Sequence, residues 1–297
     1  MTVAEAVDLF HSDPMTQPLT YPGHTPTTSG VLVDDTYLQL RLEEATPADD
    51  WQAGDETLGE LLARLDRSPM SERHPVVAVG SNASPGQMRR KFAGHGIPPV
   101  IPMTLAEVDG IAPGFSAHVN RWGYVPAVPV EAPGETSRLF VLWLDERELA
   151  ALDLTEPNYW RRRLPAERHP VTLESGALLP HCFVYVGRHG CLVDETGEAR
   201  RLADQRALIQ CLLDESPELR RLCGSTAEEF VASVRDEALR DTIYRLFPAE
   251  RRTMSQPGLV DLPPHSPSFA AVMPTSGGAC RPGRPTGLSP CSSPPHA

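Results

Sequence analysis

Apolar residues run unbroken through Val76-Val77-Ala78-Val79 and stop at Gly80. An uninterrupted apolar run of this length predicts a strand. Ser84, Pro85 and Gln87 then predict a helix start, as N-cap, first helical residue and reciprocal partner of a capping box. The turn between them, Gly80 to Ala83, would sit beside free backbone N–H groups and the positive end of the helix, where a carboxylate or phosphate could dock. A second strand is predicted over Arg138–Leu144, followed by Asp145 as N-cap with Glu148 three positions on. Leu149, Ala150 and Leu152 recur at helical spacing, and Pro157 stops the helix before it passes Glu156. Glu156 is therefore expected on a turn just past a helix end. Asn158 to Leu164 reads as another strand, with aromatic and basic side chains alternating across its faces.

The pattern divides the chain into four parts. Residues 1–72 hold Pro- and Gly-rich stretches around a strand at Val31-Leu32-Val33 and a helix from Thr57 through Leu65, and are expected to be partly ordered. Tyr21-Pro22-Gly23 and Trp51 would anchor this segment on the region that follows. Residues 73–187 carry the strands and turns above. Residues 188–252 turn helical: Leu202 to Leu213 repeats every three or four positions, and Thr226 caps a run through Phe230, Val234, Leu239, Ile243 and Leu246. These helices are expected to cover one face of the sheet. From Thr253 to residue 297, Pro, Ser and Gly dominate, which predicts a disordered tail.

Composition narrows the function classes. The net charge of −12 opposes a nucleic-acid or anionic-membrane partner, and no run of eighteen apolar residues predicts a membrane span. Six cysteines spread over 297 residues form no disulfide framework, and the N-terminus lacks a basic region before an apolar core, so the expected location is cytoplasmic. Lys91 is the only lysine, which leaves Schiff-base chemistry a single candidate on the helix after the loop.

Taken alone, the Gly80 turn names no chemistry, since it lacks the Gly-Lys-Ser/Thr ending of a P-loop and is not a dinucleotide fingerprint. Ser81 on a turn after a strand, with His118 or His169 as base, would make an amide hydrolase, although Val79 and Ala83 do not match Gly-X-Ser-X-Gly. His181, Cys182, His189 and Cys191 raise a zinc site, but strand alternation turns Cys182 toward a core, so no metal is expected. Glu156 has a plain alternative as surface ion-pair partner of Arg161, Arg162 or Arg163, worth about 0–1 kcal/mol.

The order of the motifs resembles the gamma-glutamylcyclotransferase family. Val79-Gly80-Ser81-Asn82 stands where that family has Tyr-Gly-Ser-Asn, Leu142-Trp143 follows on a strand, and Leu152-Asp153-Leu154-Thr155-Glu156 precedes Tyr159. Phe115 to Ala127 resembles the family's middle strands. The resemblance covers roughly residues 75–187. It implies an α+β fold with a mixed or barrel-like sheet and flanking helices, no cofactor, and a small-molecule gamma-glutamyl substrate. It also implies Glu156 as general acid and base, with Val79, Gly80, Ser81, Asn82 and Ala83 binding substrate. Val79 departs from the family's Tyr, so an aromatic contact would have to come from Tyr124 or Tyr159.

The implied reaction is intramolecular. A gamma-glutamyl amide places its α-amine five ring atoms from the side-chain carbonyl, so attack closes 5-oxoproline and expels the free amine without an enzyme nucleophile. The α-amine is mostly protonated at neutral pH, its reference pKa being about 8, so a base must take that proton and an acid must serve the leaving nitrogen. One carboxylate can do both. The leaving amine is left open between dipeptides of the glutathione type, gamma-glutamyl lysine from protein and a gamma-glutamyl-protected intermediate. A carboxylate-binding module without turnover is the non-enzymatic alternative.

Overall fold

The run at residues 76–79 forms the middle of a mixed sheet. In the computed structural model, which describes residues 9–264, strand β5 (His74–Ala78) lies between β7 (Ala127–Leu144), antiparallel, and β10 (Cys182–Gly187), parallel. Outward from β7 the order is β6 (Val100–Phe115), β1 (Gly30–Val33), β2 (Thr36–Arg41), β3 (Gln52–Ala53) and β4 (Glu56–Thr57); β8 (Tyr159–Leu164) flanks β10 on the other side. A short β9 (Val171–Leu173) pairs with β6, and β11 (Cys191–Leu192) with β12 (Thr253–Met254) forms a separate ribbon. Residues before 73 thus supply four strands of the main sheet.

Period-two alternation divides the β5 side chains between two cores. Val77 joins Val141, Trp143, Val184 and Trp51 on one face, which α1 (Leu58–Arg64) covers with Leu58, Leu61 and Leu62. Val76 and Ala78 join Phe140, Leu142 and Phe183 on the other, under α2 (Pro85–Ala93) and α3 (Glu146–Thr155). Met88 and Phe92, one helical turn apart on α2, are fully buried there, each contributing about 1.5–3 kcal/mol relative to exposure. With both faces covered, all six residues of β10 are buried.

The C-terminal helices are α4 (Gln205–Glu215), α5 (Pro217–Cys223), α6 (Ala227–Ser233) and α7 (Glu237–Ala249). They do not cover the sheet. They form their own core around Phe115, Ala117, Val119 and Val125 of the β6–β7 connection. The expected continuous helix after Thr226 is two helices: Thr226 and Glu229 do make a capping box, but α6 ends at Ser233 and Asp236 caps α7 by accepting from the Leu239 N–H. Residues 116–126, expected as strand, are a non-strand connection in which Ser116, Ala117, His118 and Val119 are nonetheless buried.

Residues 253–264, expected as part of the tail, are structured. β12 and α8 (Pro257–Val260) are ordered, and Leu259 and Leu262 fill the core beneath β7, β8 and β10. Two large apolar side chains suffice to hold this segment against the sheet. The rest of the expected tail lies outside the described residues.

Candidate functional site

Two motifs 74 residues apart meet at the C-terminal end of β5. The chain leaves the strand at Val79, and Ser81–Ala83 form a single tight turn closed by the Ala83 N–H donating to the Gly80 carbonyl at 2.9 Å. That bond consumes the Ala83 donor, and the Ser81 N–H at the start of the turn is directed at the Tyr21 hydroxyl. Gly80 is needed for space: with φ of −147° its backbone is ordinary, but a Cβ there would lie 2.6 Å from the Ala127 Cβ and 2.8 Å from the Tyr21 hydroxyl.

The helix after the turn starts where expected, but without the expected cap. Ser84 makes no side-chain bond to α2, its buried hydroxyl lacks a partner, and Gln87 donates to the Ser12 carbonyl at 3.4 Å. Arg90 also reaches Ser12 and pairs with Asp13 at 3.3 Å, so the N-terminal segment, through α2, takes the groups a capping box would have used.

Glu156 arrives from α3, which is held at both ends. Asp145 and Glu148 form a reciprocal capping box at its start. Glu148, fully buried, also takes Arg73 at 3.0 Å and the Val100 N–H at 3.0 Å. Near the other end, Asp153 receives a two-pronged hydrogen bond from Arg161 at 2.9 and 2.8 Å and one from the Tyr185 hydroxyl at 2.8 Å. Glu156 is the last cap residue, its N–H donating to the Asp153 carbonyl. The arginines that could have neutralised it are engaged elsewhere: Arg161 on Asp153, Arg162 on the Val260 carbonyl and over Trp160.

The carboxylate of Glu156 instead meets Asn82 and Lys91. Asn82 Nδ2 donates to Glu156 Oε1 at 3.1 Å, and Lys91 Nζ lies 2.5 Å from the same oxygen and 2.7 Å from Asn82 Oδ1. The three side chains form a hydrogen-bonded ring, two members of which, Asn82 and Glu156, also line a cavity of about 30 Å³. Its lining includes Val79, Gly80, Ser81, Asn82, Glu156 and Tyr159, together with Tyr21 and Tyr185. Glu156 is 10% exposed and Lys91 21%.

Besides Tyr185, two tyrosines line this cavity and a third stacks behind one of them. The Tyr21 hydroxyl accepts from the Ala127 N–H at 2.8 Å, the Tyr159 hydroxyl donates to the Ala127 carbonyl at 2.9 Å, and Tyr124 stacks on Tyr21 with ring centroids 4.4 Å apart. Burial pushes the Tyr21 phenol up to about 12, against the pull of the Ala127 and Ser81 donors. Burial raises Tyr124 and Tyr159 as well. All three are neutral near pH 7.

The expected site residues are therefore unequally placed. Val79, Gly80, Ser81, Asn82, Glu156 and Tyr159 share the cavity; Ala83 is buried behind the turn, and Tyr124 touches the cavity only through Tyr21. Tyr21, Tyr185 and Lys91 were not expected there. One signal for Lys91 was available: it is the single lysine in a chain whose other strongly basic side chains are all arginine.

Comparison with solved structures finds distant likenesses. A solved gamma-glutamyl cyclotransferase superposes at a TM-score of 0.32 and 16% identity, covering 59% of this chain and 99% of its own. The uncharacterized Homo sapiens protein loc79017 gives 0.32 and 14%, with coverages of 58% and 98%. Arabidopsis thaliana At3g28950.1 gives 0.30 and 16%, where the match spans 40% of this chain and 64% of that one. No family model and no curated protein matches. Likeness at this level bears on no activity.

The remaining expectations separate cleanly. His118 binds Ser116 Oγ at 2.6 Å and stacks near His189, while His169 contacts the Asp109 carbonyl at 3.2 Å, so neither candidate base lines the cavity beside Ser81. Cys182 is buried with its thiol toward the Pro75 carbonyl, His181 packs edge-on to Phe183, His189 meets Asn158, and Cys191 meets Gln256. Among the described residues, no helix is long and apolar enough to cross a membrane.

Proposed function

We propose that this protein is a gamma-glutamylcyclotransferase-like enzyme that converts a gamma-glutamyl amide to 5-oxoproline and a free amine, with Glu156 as general acid and base. The observation that carries the reading is the convergence of the Gly80–Asn82 turn and Glu156 on one cavity, joined by the 3.1 Å bond from Asn82 to Glu156. Glu156 takes a proton from the substrate α-ammonium. The freed amine attacks the γ-carbonyl carbon, and its oxygen gathers negative charge facing the donors at the start of the turn. As the carbon–nitrogen amide bond breaks, Glu156 returns that proton to the departing amine, and the second proton shed by the attacking nitrogen as it becomes the lactam N–H leaves on the released amine as its ammonium. Holding the amine and carbonyl of one molecule in a closed-ring conformation lowers the entropic part of the barrier.

No nucleophile is required of the protein, which agrees with Ser81 having no histidine beside it in the cavity. The aromatic contact absent at Val79 is supplied by Tyr21 and Tyr159.

The test is incubation of the protein and its Glu156→Gln variant with a panel of gamma-glutamyl amides, reading 5-oxoproline by mass spectrometry. Wild-type turnover reduced about 10²–10⁴-fold in the variant supports the reading. Glutamate in place of 5-oxoproline would show a hydrolase, and ligand affinity without product would show a binding module.

A further inference from the structure

Glu156, beside the cavity, already holds a cation of the protein's own. Lys91 Nζ is held by a carboxylate oxygen, Glu156 Oε1 at 2.5 Å, and an amide oxygen, Asn82 Oδ1 at 2.7 Å. A primary ammonium between these two acceptors is the arrangement that would recognise the ammonium of an amino-acid ligand, since both offer lone pairs to N–H donors carrying positive charge. At the opposite side, the Tyr21 hydroxyl accepts the Ala127 N–H and crowds Gly80, covering backbone that a ligand oxygen would need. An ammonium that takes these two acceptors must displace Lys91 Nζ from them.

Lys91 is the group suited to leave. It lies on the last turns of α2, is 21% exposed, and carries its charge on a flexible four-carbon stem that can reach solvent. Asn82 and Glu156 are fixed by the tight turn and by the anchored end of α3.

We propose that Lys91 occupies the subsite of the ligand's α-ammonium and is an internal competitor for it, so that ligands bearing a primary ammonium bind by exchanging one cation for another on Glu156 and Asn82. This deepens the reading of the site given under Proposed function and rests on it for the identity of the ligand class. The exchange leaves Glu156 with a cationic partner in both states, which limits the electrostatic gain on binding and sets the affinity by the difference between two similar contacts. It also delivers the substrate ammonium directly to the base that must deprotonate it. A ligand lacking the amine gains nothing from displacing Lys91.

The experiment is titration calorimetry of the full chain with two probes, L-glutamine and glutaramate, which share the γ-amide and carboxylate and differ by the α-ammonium. In Lys91→Met the dissociation constant for L-glutamine is expected to fall on the order of tenfold, the worth of one charge-assisted hydrogen bond, while that for glutaramate stays within about twofold. Lys91→Gln, polar but uncharged, is expected to repeat the shift, and Lys91→Arg to retain wild-type affinity. Equal changes for both probes, weaker L-glutamine binding in Lys91→Met, or no binding of L-glutamine to either protein would overturn the proposal. Turnover is scored separately: tighter L-glutamine binding with no 5-oxoproline from any gamma-glutamyl amide would keep the ammonium subsite and remove the cyclotransferase reading. Product from the wild type with unchanged L-glutamine affinity in Lys91→Met would do the reverse.

Discussion

Helix α3 carries a glutamate–cation pair at each end, and the two pairs differ in everything but their charges. Glu148 and Arg73 are completely buried, 3.0 Å apart. Backbone groups share the bonded atoms: Arg73 also donates, through Nε and Nη1, to the Ser68, Val100 and Trp143 carbonyls, and Glu148 also accepts from the Val100 and Asp145 N–H groups. Glu156 and Lys91 are bonded only to side chains, are partly exposed, and border a cavity. A pair woven into backbone fixes the helix; a pair held by side chains alone can be exchanged. Burial pushes the Glu148 carboxyl above its ordinary pKa and Arg73 opposes that, so the charge there is a structural balance and not a reagent.

The strongest way to break this contrast is to remove one cation from each pair. Arg73→Ala strands a carboxylate with no access to water, and is expected to lower unfolding free energy by about 3–5 kcal/mol, read from urea midpoints. Lys91→Ala frees a carboxylate that water can reach, and is expected to cost about 1 kcal/mol by the same measurement. Comparable losses in the two variants would show that Glu156 is as structural as Glu148.

Burial of a titratable group with no opposite charge sharpens the comparison further. His118, in the connection beneath the C-terminal helices, is pushed down to about 3, first by burial and then by neighbouring His189. Its unfolded value is about 6.5, so between these limits the unfolded chain binds the extra proton and stability rises with pH. The contribution is complete above about pH 6.5 and is lost progressively as pH falls toward 3. Between pH 7 and pH 5 the expected loss is on the order of 2 kcal/mol, and it should be absent from the urea midpoints of His118→Gln. A wild-type slope preserved in the variant would assign the effect to other groups.

Local signals account for what could be read from the chain in advance. The β5 strand, the Gly80 turn, the helix beginning at Thr57, the box at Asp145–Glu148, and the stop before Pro157 each depend on residues within a few positions of one another. Those placed both motifs of the candidate site on the ends of regular elements. What escaped reading depends on partners far along the chain. Gln87 abandons the expected box for Ser12, Tyr21 enters the cavity across 106 positions to bond Ala127, and Lys91 meets Glu156 across 65. The early start assigned to the tail failed for the same reason, since composition after Thr253 is poor in apolar residues but Leu259 and Leu262 find a ready groove. Glu156 itself was legible as a position, whereas its partner was not, because Arg161 and Arg162 are nearer in sequence and are spent on other acceptors.

The smallest expected effect tests whether the anchored end of α3 matters to the cavity. Arg161 grips Asp153 with two hydrogen bonds while lying 5.2 Å from the Phe183 ring centre, so Arg161→Met keeps the packing and removes the fork. Asp153 then retains only the Tyr185 hydroxyl, and the stability cost is expected to be about 1 kcal/mol. Three residues on, Glu156 loses part of what fixes its approach to the turn. If Arg161 is a positioning residue, kcat should fall about 3–10-fold with KM changed less, because reacting groups misplaced by a fraction of an ångström lose rate before they lose affinity. Arg161→Lys, which supplies the charge without the planar fork, should recover only part of that loss. Full kcat in both variants, alongside the lower urea midpoint, would confine Arg161 to stability and leave the Glu156 position to Asn82 and the turn alone.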